Sequence, residues 1–229
     1  MNIRKQEDEL FKQWSKKYTN STFLIDGCPN PNIYLSEKRK IIFVLKDGNL
    51  GKSYEDSTYD QRNDLEKSPH KWWQTIAKWC YFLNNETATW KEAKTNINTQ
   101  EATIAALSRH CFIQLKKEGG VGSISNIELN EVIKKDKNEI INQLSLYSPN
   151  FVIACGNGEQ ISSLFGCSGI NRKETGSGIG YWEINLNNKH CCLVDYCHPS
   201  IRAGTKIKGL IAQGLSLAIS DIEKNNSNK

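Results

Sequence analysis

Nowhere in its 229 residues does the chain hold an apolar run approaching the roughly 18 residues that a membrane-spanning helix needs. A helical membrane protein is therefore not expected. The start, Met1-Asn2-Ile3-Arg4-Lys5-Gln6-Glu7-Asp8, lacks the apolar stretch of a secretory signal, so the expected location is the cytoplasm. Cysteine is plentiful, with eight residues, yet no two stand in a Cys-x-x-Cys pair. Zinc and iron–sulfur ligation lose their usual signature, and neither a metal nor a cofactor is expected. Cys111, Cys155, Cys191 and Cys192 lie inside apolar runs instead, as small buried hydrophobes of a reducing compartment do. A strong excess of one charge is also missing: 30 Lys and Arg against 25 Asp and Glu permits a polyanionic partner without demanding one. No internal repeat and no linker divides the chain, so a single domain over 1–229 is expected, with a helical and irregular lead-in to residue 40 and a disordered tail at 224–229.

What is present is a set of short apolar runs, each feeding a polar turn. Ile41-Ile42-Phe43-Val44-Leu45 runs into Lys46-Asp47-Gly48-Asn49, Cys111-Phe112-Ile113-Gln114-Leu115 into Lys116-Lys117, Phe151-Val152-Ile153-Ala154-Cys155 into Gly156-Asn157-Gly158, and Cys191-Cys192-Leu193-Val194 into Asp195-Tyr196-Cys197-His198-Pro199-Ser200. Such unbroken apolar runs suit strands buried on both faces of a parallel sheet. Between them, residues 70–83, 99–109, 128–146 and 159–165 carry apolar positions at helical spacing, as do 4–17 before the first strand and 204–223 after the last. Thr99 is placed to cap the second of these helices. Residues 181–186 alternate as a strand at an edge, and 52–67 form a polar loop holding Tyr54 and Tyr59. The fold expected is α/β, a three-layer α/β/α sandwich around a mostly parallel four-stranded sheet.

In open α/β sheets, ligands bind beyond the carboxyl ends of the strands. Three ends carry polar groups: Asp47 and Asn49; Gln114 and Lys116; His198 and Ser200. These turns resemble those of the uracil-DNA glycosylase superfamily, whose members place an acid or amide after the first core strand, an amide after a middle strand, and a His-Pro-Ser turn after the last. Order and spacing agree from about residue 41 to 222, each motif short in itself. The resemblance implies a monofunctional DNA glycosylase, working as a monomer on DNA without a cofactor. Asp47 would stabilise the sugar cation and orient water, and His198 would donate to a base oxygen as it turns anionic. Gln114, Asn49, Tyr54 and Tyr59 would line the base pocket. Lys46, Lys116, Lys117 and Ser200 would meet the DNA backbone, and Ile201 with Arg202 would fill the gap left by the flipped base.

Two departures bear on the substrate. Gln114 stands where the strict uracil enzymes use asparagine, and the Asp47-Gly48-Asn49 turn lacks the proline and following tyrosine with which they exclude larger pyrimidines. A modified base is therefore expected, such as a hypermodified cytosine of phage DNA, which would make the role antiphage defence; a uracil-specific repair glycosylase is the alternative. Against these stand plainer assignments: Asp47 as a turn residue, His198 as a turn histidine, the lysines as solvated charges, and Trp72, Trp73 and Trp79 as core. A non-catalytic nucleotide- or nucleic-acid-binding module of the same fold, or a hydrolase of free nucleosides, would fit those.

Overall fold

A computed structural model describes residues 2–48, 58–67, 69–119, 124–167, 169–201 and 204–227. The lead-in consists of α1 (Ile3–Trp14), β1 (Phe23–Ile25) and α2 (Pro31–Ser36), followed by the first core strand, β2 (Ile41–Asp47). Next come β3 (Thr58–Asp60), α3 (Gln61–Lys67), α4 (Trp73–Asn84), α5 (Trp90–Asn96), α6 (Gln100–Leu107) and β4 (Cys111–Lys116). Then follow α7 (Asn126–Lys135), α8 (Lys137–Leu146), β5 (Phe151–Cys155) and α9 (Gly158–Leu164). The chain closes with β6 (Lys173–Glu174), β7 (Gly180–Leu186), β8 (Lys189–Tyr196) and α10 (Thr205–Ser227). Local chemistry sets several boundaries. Thr99 does cap α6, accepting from the Ala102 amide at 3.2 Å, and Thr89 with Glu92 forms a reciprocal capping box on α5. Asn187 and Asn188 both adopt positive φ, 49° and 62°, in the two-residue turn that joins β7 to β8.

The central sheet has six strands in the order β4-β2-β5-β8-β7-β6, not the four expected. The four anticipated strands form its parallel part; β7 adds antiparallel to β8, and β6 to β7. The two-residue β6 lies in a glycine-rich stretch and is too short to show a period. A second sheet pairs β1 with β3 in parallel. Beneath one face, α1, α7, α8 and α9 pack on Ile42, Val44, Ile113 and Val152. Against the other, α3, α4, α5, α6 and α10 pack on Phe43, Leu45, Phe112 and Ile153. The result is a three-layer mixed α/β structure, and no helix among the described residues is long and apolar enough to cross a membrane.

Three further expectations are corrected. The helix predicted over 128–146 is two helices broken at Asp136, whose buried carboxylate is drawn inward by the Tyr18 hydroxyl and by Lys17 at 3.5 Å. The stretch predicted as loop at 52–67 holds β3 and α3 in its described part. The tail predicted as disordered from 224 is helical to Ser227, since Ile219 and Ile222 anchor the last turns of α10 in the core.

The side of the sheet nearest the lead-in is built on buried charge. Asp26, fully buried, accepts from the backbone N–H of Gln114 at 2.6 Å, from Lys117 Nζ at 2.5 Å and from Gln143 Nε2 at 2.7 Å. Lys117 is also fully buried, its ammonium 5.0 Å from the Trp14 ring centroid. Burial pulls its pKa below the usual lysine range, against the opposing charge of Asp26. Glu7 repeats the theme, accepting from the Cys28 amide, Tyr147 Oη and Arg62 Nη1 at 2.7–2.8 Å. A carboxylate removed from water is tolerated only when its lone pairs are met in this way. Removing the ammonium with Lys117→Met is expected to cost about 3–5 kcal/mol, because Asp26 then keeps a buried charge without its cation. Adding Asp26→Asn should recover most of that loss. Urea denaturation of the two variants measures this, and equal losses in both would show that the pair does not couple.

Candidate active site

The parallel strands run β4-β2-β5-β8 in space but β2, β4, β5, β8 in sequence, so the connections leave β2 in one direction and return beyond it in the other. The crevice between the ends of β2 and β5 is thus the switch point where open α/β sheets take ligands. Asp47 ends β2 opposite Lys116, and Gln114 lies opposite Leu45. Leu45 and Phe112 face the same helical layer, so strand alternation turns Asp47 and Gln114 to that face as well.

Asp47 Oδ2 accepts from the Ile124 amide at 3.2 Å, which draws the segment before α7 over the strand end. Lys46 Nζ donates to Asn126 Oδ1 at 3.1 Å, and Lys116 Nζ meets Glu128 Oε1 at 2.9 Å. Both rim lysines therefore brace the first turn of α7, and phosphate contact would have to compete with those bonds. Lys117 needs a correction outright: an ammonium with no exposed surface, held by Asp26, cannot be the phosphate contact expected of it.

His198 follows β8, its Cβ resting against the turn at Gly156. With φ of +76°, that position suits glycine, and an added Cβ would come within 3.3 Å of the histidine Cβ. The Ser200 amide donates to His198 Nδ1 at 3.2 Å, and Ser200 Oγ lies 2.7 Å from the same nitrogen. An amide can only donate, so Nδ1 accepts, and the neutral ring carries its proton on Nε2. Burial is the largest influence on this ring and lowers its pKa below the usual 6.5; Lys46 lowers it further, while Asp47 works the other way. The neutral form that burial favours has its Nε2–H to offer. Ser200, expected at a phosphate, instead braces His198, and Ile201 is 40% exposed just beyond.

Gln114 has no exposed surface, its Nε2 3.4 Å from Oε1 of Gln61 and its own Oε1 without a partner among the described residues. Tyr59, expected in the base pocket, donates its hydroxyl to Asp64. Asn49, Tyr54 and Arg202 lie outside the described residues. Trp73 and Trp79 are core, and the half-exposed Trp72 stacks on Trp73 with centroids 4.2 Å apart. No motif flags Gln61, and Asn157 stands in a Gly-Asn-Gly turn that is a weak nucleotide fingerprint, lacking the third glycine of the dinucleotide pattern. Asn157 is buried at the switch point, donating from Nδ2 to the Val44 carbonyl at 3.3 Å. Among the described residues, no group of three or more His, Cys, Asp and Glu side chains could hold a metal ion.

No family model matches the chain, and no curated protein matches it. What the site can do follows from the groups that the parallel strands bring to one rim of the sheet: a carboxylate at the end of β2 and an imidazole after β8 whose neutral form carries its proton on Nε2.

The opposed influences on His198 give a direct test. Its NMR titration midpoint should fall below 6.5, drop further in Asp47→Asn and rise in Lys46→Met; a midpoint indifferent to both would separate the two strand ends electrostatically. Since the folded-state pKa is depressed, the linked stability is fully present above about pH 6.5 and is lost as pH falls through the lowered value.

Proposed function

We propose that the chain is a DNA glycosylase that hydrolyses the N-glycosidic bond of a flipped-out modified base and leaves an abasic site. The observation that carries this is His198, whose Nδ1 accepts from the Ser200 amide and so turns the Nε2–H of the neutral ring outward, following β8 on the same rim of the parallel sheet as Asp47 at the end of β2. Breaking an N-glycosidic bond develops positive charge on the sugar and negative charge on the base. Asp47 stabilises the first and His198 donates to the second, an interaction stronger in the transition state than in the ground state. Gln114 is assigned to the base edge by the resemblance alone, since its side chain has no exposed surface on β4. Ile201, half-exposed beyond the His-Pro-Ser turn, fills the stack once the base has left. The substrate is a modified pyrimidine, a hypermodified cytosine of phage DNA among them, in keeping with glutamine at position 114 and with an Asp47-Gly48-Asn49 sequence that lacks the excluding proline and tyrosine, and the enzyme works as a cytoplasmic monomer without a cofactor. The resemblance of the three strand-end turns to the uracil-DNA glycosylase superfamily supports the same assignment.

One observation favours a second reading, a non-catalytic nucleic-acid-binding module: Asp47 already serves to hold the Ile124 amide, as a loop-fixing residue would. Duplexes bearing uracil, hypoxanthine or glucosylated hydroxymethylcytosine, treated with alkali to reveal abasic sites, separate the two. An enzyme should cleave at least one, and Asp47→Asn should lower that rate by about 100-fold or more while DNA binding is retained. A variant with undiminished activity would remove Asp47 from the chemistry. Release of uracil alone would remove the modified-base assignment.

A further inference from the structure

The lysines expected at phosphates are engaged within the fold, Lys46 and Lys116 on α7 and Lys117 on Asp26. Another set is not. α10 lies against α4 and α5, and the approach is close at Gly209, where an added Cβ would come within 2.9 Å of the Trp90 Cβ. Trp90 opens α5 and stacks on Phe82 of α4, with ring centroids 6.3 Å apart. This three-way contact gathers three cations. Lys208 directly precedes Gly209, Lys94 stands one turn beyond Trp90, and Lys78 one turn before Phe82. Lys94 is exposed, Lys78 and Lys208 are half-exposed, and none of the three has an ion-pair partner among the described residues. Burial lowers the pKa of Lys78, the charges of Lys208 and Lys94 lower it further, and no carboxylate among the described residues acts the other way. The cluster stands near the site. Trp79, next to Lys78, meets the ring of Tyr196 edge-on at 5.2 Å, and Tyr196 ends β8 two residues before His198. The Tyr196 hydroxyl in turn donates to the Ile211 carbonyl, one turn past Lys208. Like charges gathered without a counter-charge repel one another, and an arriving polyanion relieves that repulsion.

We infer that Lys78, Lys94 and Lys208 form a phosphate-binding surface outside the crevice, which holds the backbone of duplex DNA as it passes the His198 turn. The inference rests on the proposed action on DNA and adds to it a surface that touches neither the base nor the bond being cleaved. Its contacts are with phosphate, so they carry no sequence preference and weaken as salt rises.

The test measures binding of the full chain to an unmodified duplex over a range of NaCl concentrations. Each of Lys78→Gln, Lys94→Gln and Lys208→Gln should reduce the slope of log K against log salt by about 0.9, and the triple variant should bind at least about tenfold more weakly near physiological salt. Lys78→Arg, which keeps the charge, should keep the slope, as should Lys137→Gln on α8 in the opposite helical layer. If Lys78→Gln does not fold, the Lys94→Gln, Lys208→Gln double variant decides, with an expected fall in slope of about 1.8. An unchanged slope in the folded triple or double variant, an equal fall in Lys137→Gln, or no duplex binding by the wild type overturns the surface. Loss of binding to anionic phospholipid vesicles with duplex binding intact overturns it too, in favour of a membrane. Abasic sites on modified duplexes are scored separately. Wild-type cleavage with an unchanged slope in the variants leaves the glycosylase standing, whereas a reduced slope with cleavage of no duplex keeps the surface and removes the glycosylase.

Discussion

Asp26 is the group on which the rest of this structure turns. It sits with no exposed surface between the irregular lead-in and the edge of the sheet, and it bonds three partners from separate parts of the chain: the Gln114 amide, the Lys117 ammonium and the Gln143 side chain. β4 is an edge strand, with backbone groups that β2 cannot satisfy. Asp26, together with the bridge between Gly27 and Phe112, covers that edge. A carboxylate in such a place is stable only if it is fully partnered, which obliges strand, helix and lead-in to keep their relative positions. Glu7 and Arg62 extend the same constraint to β3 and α3.

The candidate site inherits this rigidity from one side only. Gln114 and Gln61 rest on the buried charge network. Asp47 and His198, by contrast, stand at strand ends and are positioned by lighter bonds, to the Ile124 amide and to Ser200. The firm wall is held by hydrogen bonds that the folded chain already makes. The groups on the opposite wall are suited to charge, since partial burial holds His198 neutral while Lys46 and Asp47 remain close enough to tune it. The lysines contribute less than their number suggests, because Lys46 and Lys116 are partnered on α7 and Lys117 is interior.

Much of the architecture was legible because burial on two faces leaves an unmistakable apolar run, as at Ile41 through Leu45 and Phe151 through Cys155. The helix cap at Thr99 was legible for a local reason too, a side-chain oxygen placed three residues before a free amide. Elements whose cause is distant were not. β1, β3 and β6 are two or three residues long and exist because a partner strand lies beside them. The break at Asp136 depends on Tyr18, more than a hundred residues away. At the site, Asp47, Gln114 and His198 could be picked out as polar groups at strand ends, whereas Gln61 could not, since only the seating of α3 against α6 and β1 brings it to Gln114.

The sequence by itself determined the parallel strands, the helices between them and the polar residues delivered to their ends, because periodicity and turn chemistry are local properties of the chain. Tertiary structure alone decided which of those residues are free to act. Lys116 and Lys117 are neighbours of identical chemistry, yet strand alternation and the reach of Asp26 send one to the rim and the other into the core, where an ammonium is held by a carboxylate and two aromatic rings. The protonation of His198 is decided in the same way: its tautomer follows from the Ser200 amide and its neutrality from burial, and both come from how β8 lies beside β5 rather than from the letters around it.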